Sequence, residues 1–216
     1  MKNIFLVILV ACSSAVYGQF NSKIGYSAWL HSMNNVDALY NSFSDDRPWL
    51  ADRITGFNFT NSLELGVKYR VDRLTFELGI ISGQGESKGV GINAGMNEEF
   101  RWKVSHFDYH LNVIQHFAGW GIGAGLANQR LRLREFNDIS SKFVDITNQR
   151  QLAARIFVQV EVPSRTVSFC LRPFYQFGLD DYDISPVANT LGVSGENSQN
   201  LRIIGLSMLF FNGPQS

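Results

Sequence analysis

Apolar residues in this chain recur chiefly at every second position, and no long helical period appears. Leu63, Leu65, Val67, Tyr69 and Val71 alternate with Glu64, Gly66, Lys68 and Arg70. After only Asp72-Arg73, Leu74, Phe76, Leu78 and Ile80 alternate with Thr75, Glu77 and Gly79. A period of two sends alternate side chains to opposite faces of a strand, and two such runs separated by two residues read as a tight hairpin. The device returns twice. Phe107, Tyr109, Leu111 and Val113 turn near Ala118-Gly119 into Trp120, Ile122, Ala124 and Leu126, and the run from Leu152 to Val162 turns at Pro163-Ser164-Arg165 into Val167 to Phe177. Ile24, Tyr26, Ala28 and Leu30 open the series; Ile204, Leu206, Met208 and Phe210 close it. The pattern predicts eight strands, at about 23–31, 61–71, 73–82, 100–116, 119–133, 150–162, 165–177 and 200–211. In the fourth, Phe100, Trp102 and Val104 are out of phase with Phe107 and Tyr109, which predicts a β-bulge near Ser105-His106.

The links are as informative as the strands. Those between strands 2–3, 4–5 and 6–7 are short. Those at about 32–60, 83–99, 134–149 and 178–199 are long and polar. Strict alternation of the two kinds suits an up-and-down sheet with every long link at one end. No linker interrupts it, so residues 19–216 read as one domain. Ahead of it, one positive charge, the apolar run Ile4 to Cys12 and small residues before Gly18 make 1–18 a secretory signal peptide. A rival reading takes Leu9-Val10-Ala11-Cys12 as a lipoprotein acylation site; both readings export the chain. Cleavage at either place leaves Cys170 as the one thiol, without an intramolecular partner, and a buried filler is its expected role.

Eight antiparallel strands close into a barrel, which removes the sheet edges. Two classes fit: a lipocalin-like carrier with its apolar face inward, and an outer-membrane barrel with its apolar face on lipid. The polar face separates them. It carries Glu64, Glu77, Asp108 and Glu161 against Lys68, Arg70, Arg155 and Arg172, along with Gly66, Gly79, Gly121, Gly123, Gly125, Gly205 and Ser207. Balanced charge beside small residues suits a narrow lumen whose ions satisfy one another. The apolar face is aromatic near its ends, at Tyr26, Tyr69, Phe107, Trp120, Tyr175 and Phe210, as interfacial girdles are. The expected fold is an all-β, eight-stranded antiparallel up-and-down transmembrane barrel following a cleaved signal. The leader, the alternating turns and the closing strand Leu201 to Phe211 resemble the small OmpA/OmpX-type outer-membrane β-barrel family. That resemblance implies insertion by the barrel-insertion machinery, which reads a terminal aromatic such as Phe210 or Phe211, although a tail to Ser216 follows here.

Composition narrows the function. The 19 basic and 19 acidic residues give no net charge, against a nucleic-acid partner. A mean hydropathy of −0.05 is too low for a bundle of membrane helices. The glycines of 121–127 lack the spacing and helix of a dinucleotide loop, and those of 83–91 lack the phosphate-loop order, so the latter read as a surface loop. His106, His110 and His116 with Asp108 admit a metal site, but lumen hydrogen bonding is the expected use. Asp45-Asp46 and Asp180, Asp181 and Asp183 are expected to be solvated loop acids. Tyr40, Phe43, Trp49, Phe57 and Phe59 predict either a folded lid or a binding surface. The expectation is a non-enzymatic barrel with a side-chain-filled lumen and no cofactor, metal or catalytic residue. Its partners are outer-membrane lipid and lipopolysaccharide, and an unidentified extracellular partner at the loops. The alternatives are the lipocalin-like carrier and a lipid-modifying barrel enzyme, for which His31 with Ser32, or His106 with Ser105, supply the residue types.

Overall fold

The computed structural model describes residues 19–54, 56, 59–137, 142–164 and 166–212. The leader 1–18, with Cys12, and most of the tail lie outside them. Eight long strands form the ring: β1 (Gln19–Ser32), β3 (Phe59–Val71), β4 (Leu74–Asn93), β5 (Met96–His116), β6 (Trp120–Asn137), β7 (Lys142–Val162), β8 (Val167–Gly178) and β11 (Arg202–Asn212). Each is antiparallel to its neighbours, and β1 pairs with β11 on one side and β3 on the other, so the sheet closes. Stepping from partner to partner through Phe20, Tyr69, Phe76, Val113, Ala124, Ile156, Tyr175 and Ile204 returns to β1 at Leu30, ten residues beyond the start. At about 3.3 Å per residue and about 4.8 Å between strands, that offset tilts the strands by roughly 40°, as closure of a small barrel requires.

The two faces divide as the alternation predicts. Ile24, Leu63, Leu78, Leu111, Leu126, Ile156, Val158, Leu206 and Met208 all project outward and are exposed. From Phe20 to Leu30 this apolar belt covers roughly 25 Å of height, the span of an outer-membrane hydrocarbon layer. Trp120 and Phe210 stand near its short-turn border. Inside, Glu64, Glu77 and Asp108 are completely buried.

Three expectations need correction. Residues 83–91 form no loop: β4 and β5 stay paired from Leu74 opposite Gln115 to Asn93 opposite Met96, where Ala94 and Gly95, both at positive φ, make a two-residue turn. Links 3–4 and 5–6 are therefore extended hairpins that rise above the ring. β5 has no bulge at Ser105-His106, since its register with β4 and β6 is unbroken there. The shift falls instead between β6 and β7, beside Leu133 and Arg134.

The other two long links fold over the barrel mouth. The first holds helix α1 (Asn34–Asp45) and β2 (Leu50–Asp52), which adds to β4. Val36, Leu39, Tyr40 and Phe43 make one buried stripe on α1, spaced as an amphipathic helix requires. The last link holds β9 (Tyr182–Asp183), α2 (Ser185–Leu191) and β10 (Ser198–Gln199), with β9 pairing with β10. Of the first link's aromatic residues, Tyr40 and Phe43 are buried as parts of a lid and Phe59 is exposed on β3, while Phe57 lies outside the described residues.

Candidate functional site: an ion-paired lumen beneath a folded cap

Alternation on eight strands brings charged residues from distant parts of the chain into one cross-section. Arg172 on β8 holds Glu77 on β4 with both arms, Nη1 to Oε2 at 2.8 Å and Nη2 to Oε1 at 2.7 Å. Lys23 on β1 donates to Glu64 Oε1 at 2.6 Å and Glu77 Oε2 at 3.1 Å. Arg172 also donates to Gln159 Oε1 at 2.7 Å. Two cations, from β1 and β8, thus share two carboxylates and an amide from β3, β4 and β7. The bidentate fork makes Arg172–Glu77 the strongest link, because planar guanidinium and carboxylate match in two bonds.

A second group lies nearer the cap. Arg155 Nε donates to Gln176 Oε1 at 2.7 Å, Gln176 Nε2 donates to Asp108 Oδ2 at 3.3 Å, and Arg155 Nη2 stands 3.8 Å from Asp108. A third closes the short-turn end: Glu161 lies 3.5 Å from Lys68, 3.9 Å from Arg70 and 3.8 Å from His116. Aromatic rings separate the cations. Arg172 sits 4.4 Å from the Phe157 ring centre, Arg155 4.7 Å from Phe174, and Lys68 3.7 Å from Phe211. The small residues make room for those rings. A Cβ on Gly123 would stand 2.2 Å from the Phe157 ring, and one on Gly205 2.2 Å from Phe174.

All eight lumen charges inferred from the sequence face inward; Gln159 Nε2 donates to Glu161 Oε1 at 2.8 Å and so joins the first and third groups, while the Arg155–Asp108 group stands apart. Lys23 was missed, although it is the only Asp, Glu, Lys or Arg of β1 and its odd number sets it opposite Ile24 and Tyr26. Gln159 and Gln176 were missed too, since neutral amides leave no charge pattern. The histidines act singly. His106 Nε2 bonds Ser62 Oγ at 2.8 Å and stacks on Trp29 at 4.1 Å; His110 Nε2 lies 3.4 Å from Glu64; His116 Nε2 bonds Thr75 at 2.9 Å. Among the described residues no three metal-ligating side chains converge. Neither proposed Ser/His pair meets. His31 turns inward to Thr60 at 2.6 Å while Ser32 donates to Asn34, and Ser105 faces outward to accept from Arg134 at 2.9 Å. Cys170 is buried with Leu209 and Phe211.

Above the ions the interior becomes apolar. Trp102, Val104, Leu131 and Leu133 on the extended hairpins meet Met33, Val36 and Tyr40 of the first link and Ile184, Val187 and Leu191 of the last. Tyr40 packs edge-on against Trp102 at 5.6 Å, and Phe43 against Phe100 at 5.1 Å. Burial pushes the Tyr40 phenol well above its usual range, so it stays neutral. A cavity of about 20 Å³ remains under the helices, lined by Val36, Val104, Leu131, Leu133 and Val187, which is room for one water. The loop acids are solvent-exposed and bond locally: Asp45 pairs with Arg53 at 2.9 Å, Asp180 accepts from Leu152 N–H at 3.0 Å, Asp181 accepts from Asn200 at 2.9 Å, and Asp183 accepts from Ser185 N–H at 2.9 Å.

No family model and no curated protein matches this chain. Among solved structures it is similar to Neisserial surface protein A, at 10% identity and a TM-score of 0.49 over 91% of this chain and 98% of that one. It is also similar to Ail, the attachment invasion locus protein of Yersinia pestis, at 8% identity and 0.47, over 90% and 97%. The N-terminal β-barrel domain of Pseudomonas aeruginosa OprF shows 13% identity and 0.29, over 89% and 98%. On its own geometry, with eight closed strands, an apolar exterior and an ion-paired interior, the chain is a small β-barrel built as those of outer membranes are.

Proposed function

We propose that this chain is a non-enzymatic integral protein of a Gram-negative outer membrane. Its lumen is closed by side chains, and its cap and hairpins present a surface outside the cell for interaction or envelope stability. The observation that carries this reading is the inversion of the barrel: Glu64, Glu77 and Asp108 are 0% exposed, whereas Leu63, Leu78 and Ile204 are about 60% exposed. In water that distribution would leave a wide apolar band unsatisfied. In a bilayer it meets hydrocarbon, and closure leaves no open sheet edge to face it. The resemblance noted from the sequence adds delivery by the barrel-insertion machinery, with Phe210 on the outer face as the residue it would read. The neutral and aromatic plugs between the ion groups support a structural lumen.

Membrane-fraction protein should migrate faster on gels unheated than boiled, as compact barrels do, and planar bilayers should show no steady conductance. Migration unaffected by heating returns the chain to the lipocalin-like class, and a large stable pore removes the closed lumen.

A further inference from the structure

A basic strip borders the apolar belt on the outer face of β5, β6 and β7. Arg130 and Arg150 are direct cross-strand partners there, and both are exposed. Like charges set opposite one another destabilise a ladder, and the chain supplies little to offset them. Arg130 Nε donates to Asn148 Oδ1 at 2.7 Å, a neutral amide. The neighbouring carboxylate, Asp145, is taken by both arms of Arg132 at 2.6 and 2.7 Å. Arg150 has no ion-pair partner among the described residues. Farther from the belt on the same face, Lys103 stands opposite Arg134, a second like-charged pair.

Depth selects the missing anion. The next outward residue below Arg150 is Leu152, and below Arg130 come Asn128 and Leu126; both leucines are exposed in the apolar belt. The guanidiniums therefore stand one or two outward positions above hydrocarbon, where lipid phosphates lie and a cation near the surface attracts them. Three guanidiniums against one carboxylate leave two positive charges, and the amides of Asn128 and Asn148 beside them suit sugar hydroxyls. Guanidinium is also the side chain that best matches phosphate in a fork.

We propose that Arg130 and Arg150, flanked by Arg132, form a binding site for a bisphosphorylated glycolipid headgroup of the outer leaflet, the chemistry of lipid A. This rests on the membrane-barrel reading above, and the test separates the two. The full chain is refolded into neutral phosphatidylcholine vesicles, and insertion is checked by heat-dependent migration. Bisphosphorylated lipid A is then titrated in, with its dephosphorylated form, phosphatidylglycerol and inorganic phosphate as comparison ligands. R130Q/R150Q should insert normally and bind lipid A about 25-fold more weakly, from two surface cations. R130K/R150K should lie between that variant and the wild type, and dephosphorylated lipid A should bind the wild type as weakly as lipid A binds the double glutamine variant. Equal lipid A affinity in wild type and R130Q/R150Q overturns the site while leaving the barrel in place. Phosphatidylglycerol or inorganic phosphate binding as tightly as lipid A overturns the glycolipid assignment. If the wild type fails to insert, the membrane reading falls and the site falls with it.

Discussion

The lower lumen and the cap are two interiors built from the same strands by opposite rules. Below, the inner face holds Lys23, Glu77, Arg172 and Asp108, and the outer face holds Leu78, Leu111 and Val158. Above, the inner face holds Trp102, Val104, Leu131 and Leu133, and the outer face holds Lys103, Arg130 and Arg132. Side-chain direction does not change between them: on β5 the even-numbered residues from Trp102 to His116 point inward without interruption. What changes is the solvent outside. Where hydrocarbon surrounds the wall, polar groups are best placed inside, provided they find partners. Where water surrounds it, ordinary burial returns and apolar residues turn in. The height at which the hydrophobic phase of β5 and β6 reverses therefore marks the membrane border on those two strands.

The comparison is broken most directly in the lower lumen. Glu77→Gln keeps the shape but leaves Arg172 and Lys23 sharing Glu64 alone, and removing one partner of a buried pair costs about 3–5 kcal/mol. Unfolding by urea in lipid vesicles should show a loss of that order, and a loss below about 1 kcal/mol would mean that the ions are effectively hydrated. On the opposite face of the same wall, Val158→Arg puts a charge into the apolar belt. It should destabilise the inserted barrel by about 2–4 kcal/mol. Arg132→Val, outward on the hairpins, should cost under about 1 kcal/mol. If the two outward substitutions behave alike, the belt has no upper border between them.

This reversal also explains which parts of the structure were legible in the sequence. Period-two alternation located all eight ring strands, because each side of the wall is chemically uniform within the belt. The phase change at Phe100, Trp102 and Val104 mimics a bulge, since alternation alone cannot distinguish an extra residue from a change of surroundings. The same blindness turned Gly83 to Gly91 into a loop. Above the membrane, β4 has small and polar residues on both faces, so no alternation remains, yet the β5 ladder holds it extended. Glu64, Glu77 and Arg172 were found by charge and parity. Which carboxylate meets which cation depends on the ten-residue offset around the ring, and that emerges only from closure. The cap needed more than pattern: α1 has a clear 36, 39, 40, 43 stripe, but the surface it covers comes from β5 and β6, some sixty residues and more away.

The cap has a smaller and more local effect. Leu133→Ala removes a buried side chain beside the existing cavity, so about 2–3 kcal/mol should be lost at the low end of the core range. The loss should appear as faster protease cleavage in the first and last links, with heat-dependent migration of the barrel unchanged. Equal loss in both measurements would show that cap and lumen unfold as one unit, and the two interiors would then differ in chemistry without differing in cooperativity.

The smallest effect concerns pH, and it lies at the outer wall of the hairpins. The bidentate bond from Arg132 holds the Asp145 carboxyl below the usual carboxylate range. A depressed folded pKa contributes stability that is present above the unfolded value, about 3.9, and is lost as pH falls through the folded one. Side chains about 40% exposed on both partners limit the contribution to under about 1 kcal/mol. Amide exchange at the paired residues of β6 and β7 above Leu133 should therefore accelerate modestly as pH drops below about 4, after correction for intrinsic rates. Asp145→Asn should exchange faster at neutral pH and lose that acid dependence. Identical profiles for the wild type and Asp145→Asn would show that the hairpin holds without this pair. The strand pairing and the Phe136–Phe143 contact at 5.3 Å would then be what keep the two strands together above the membrane.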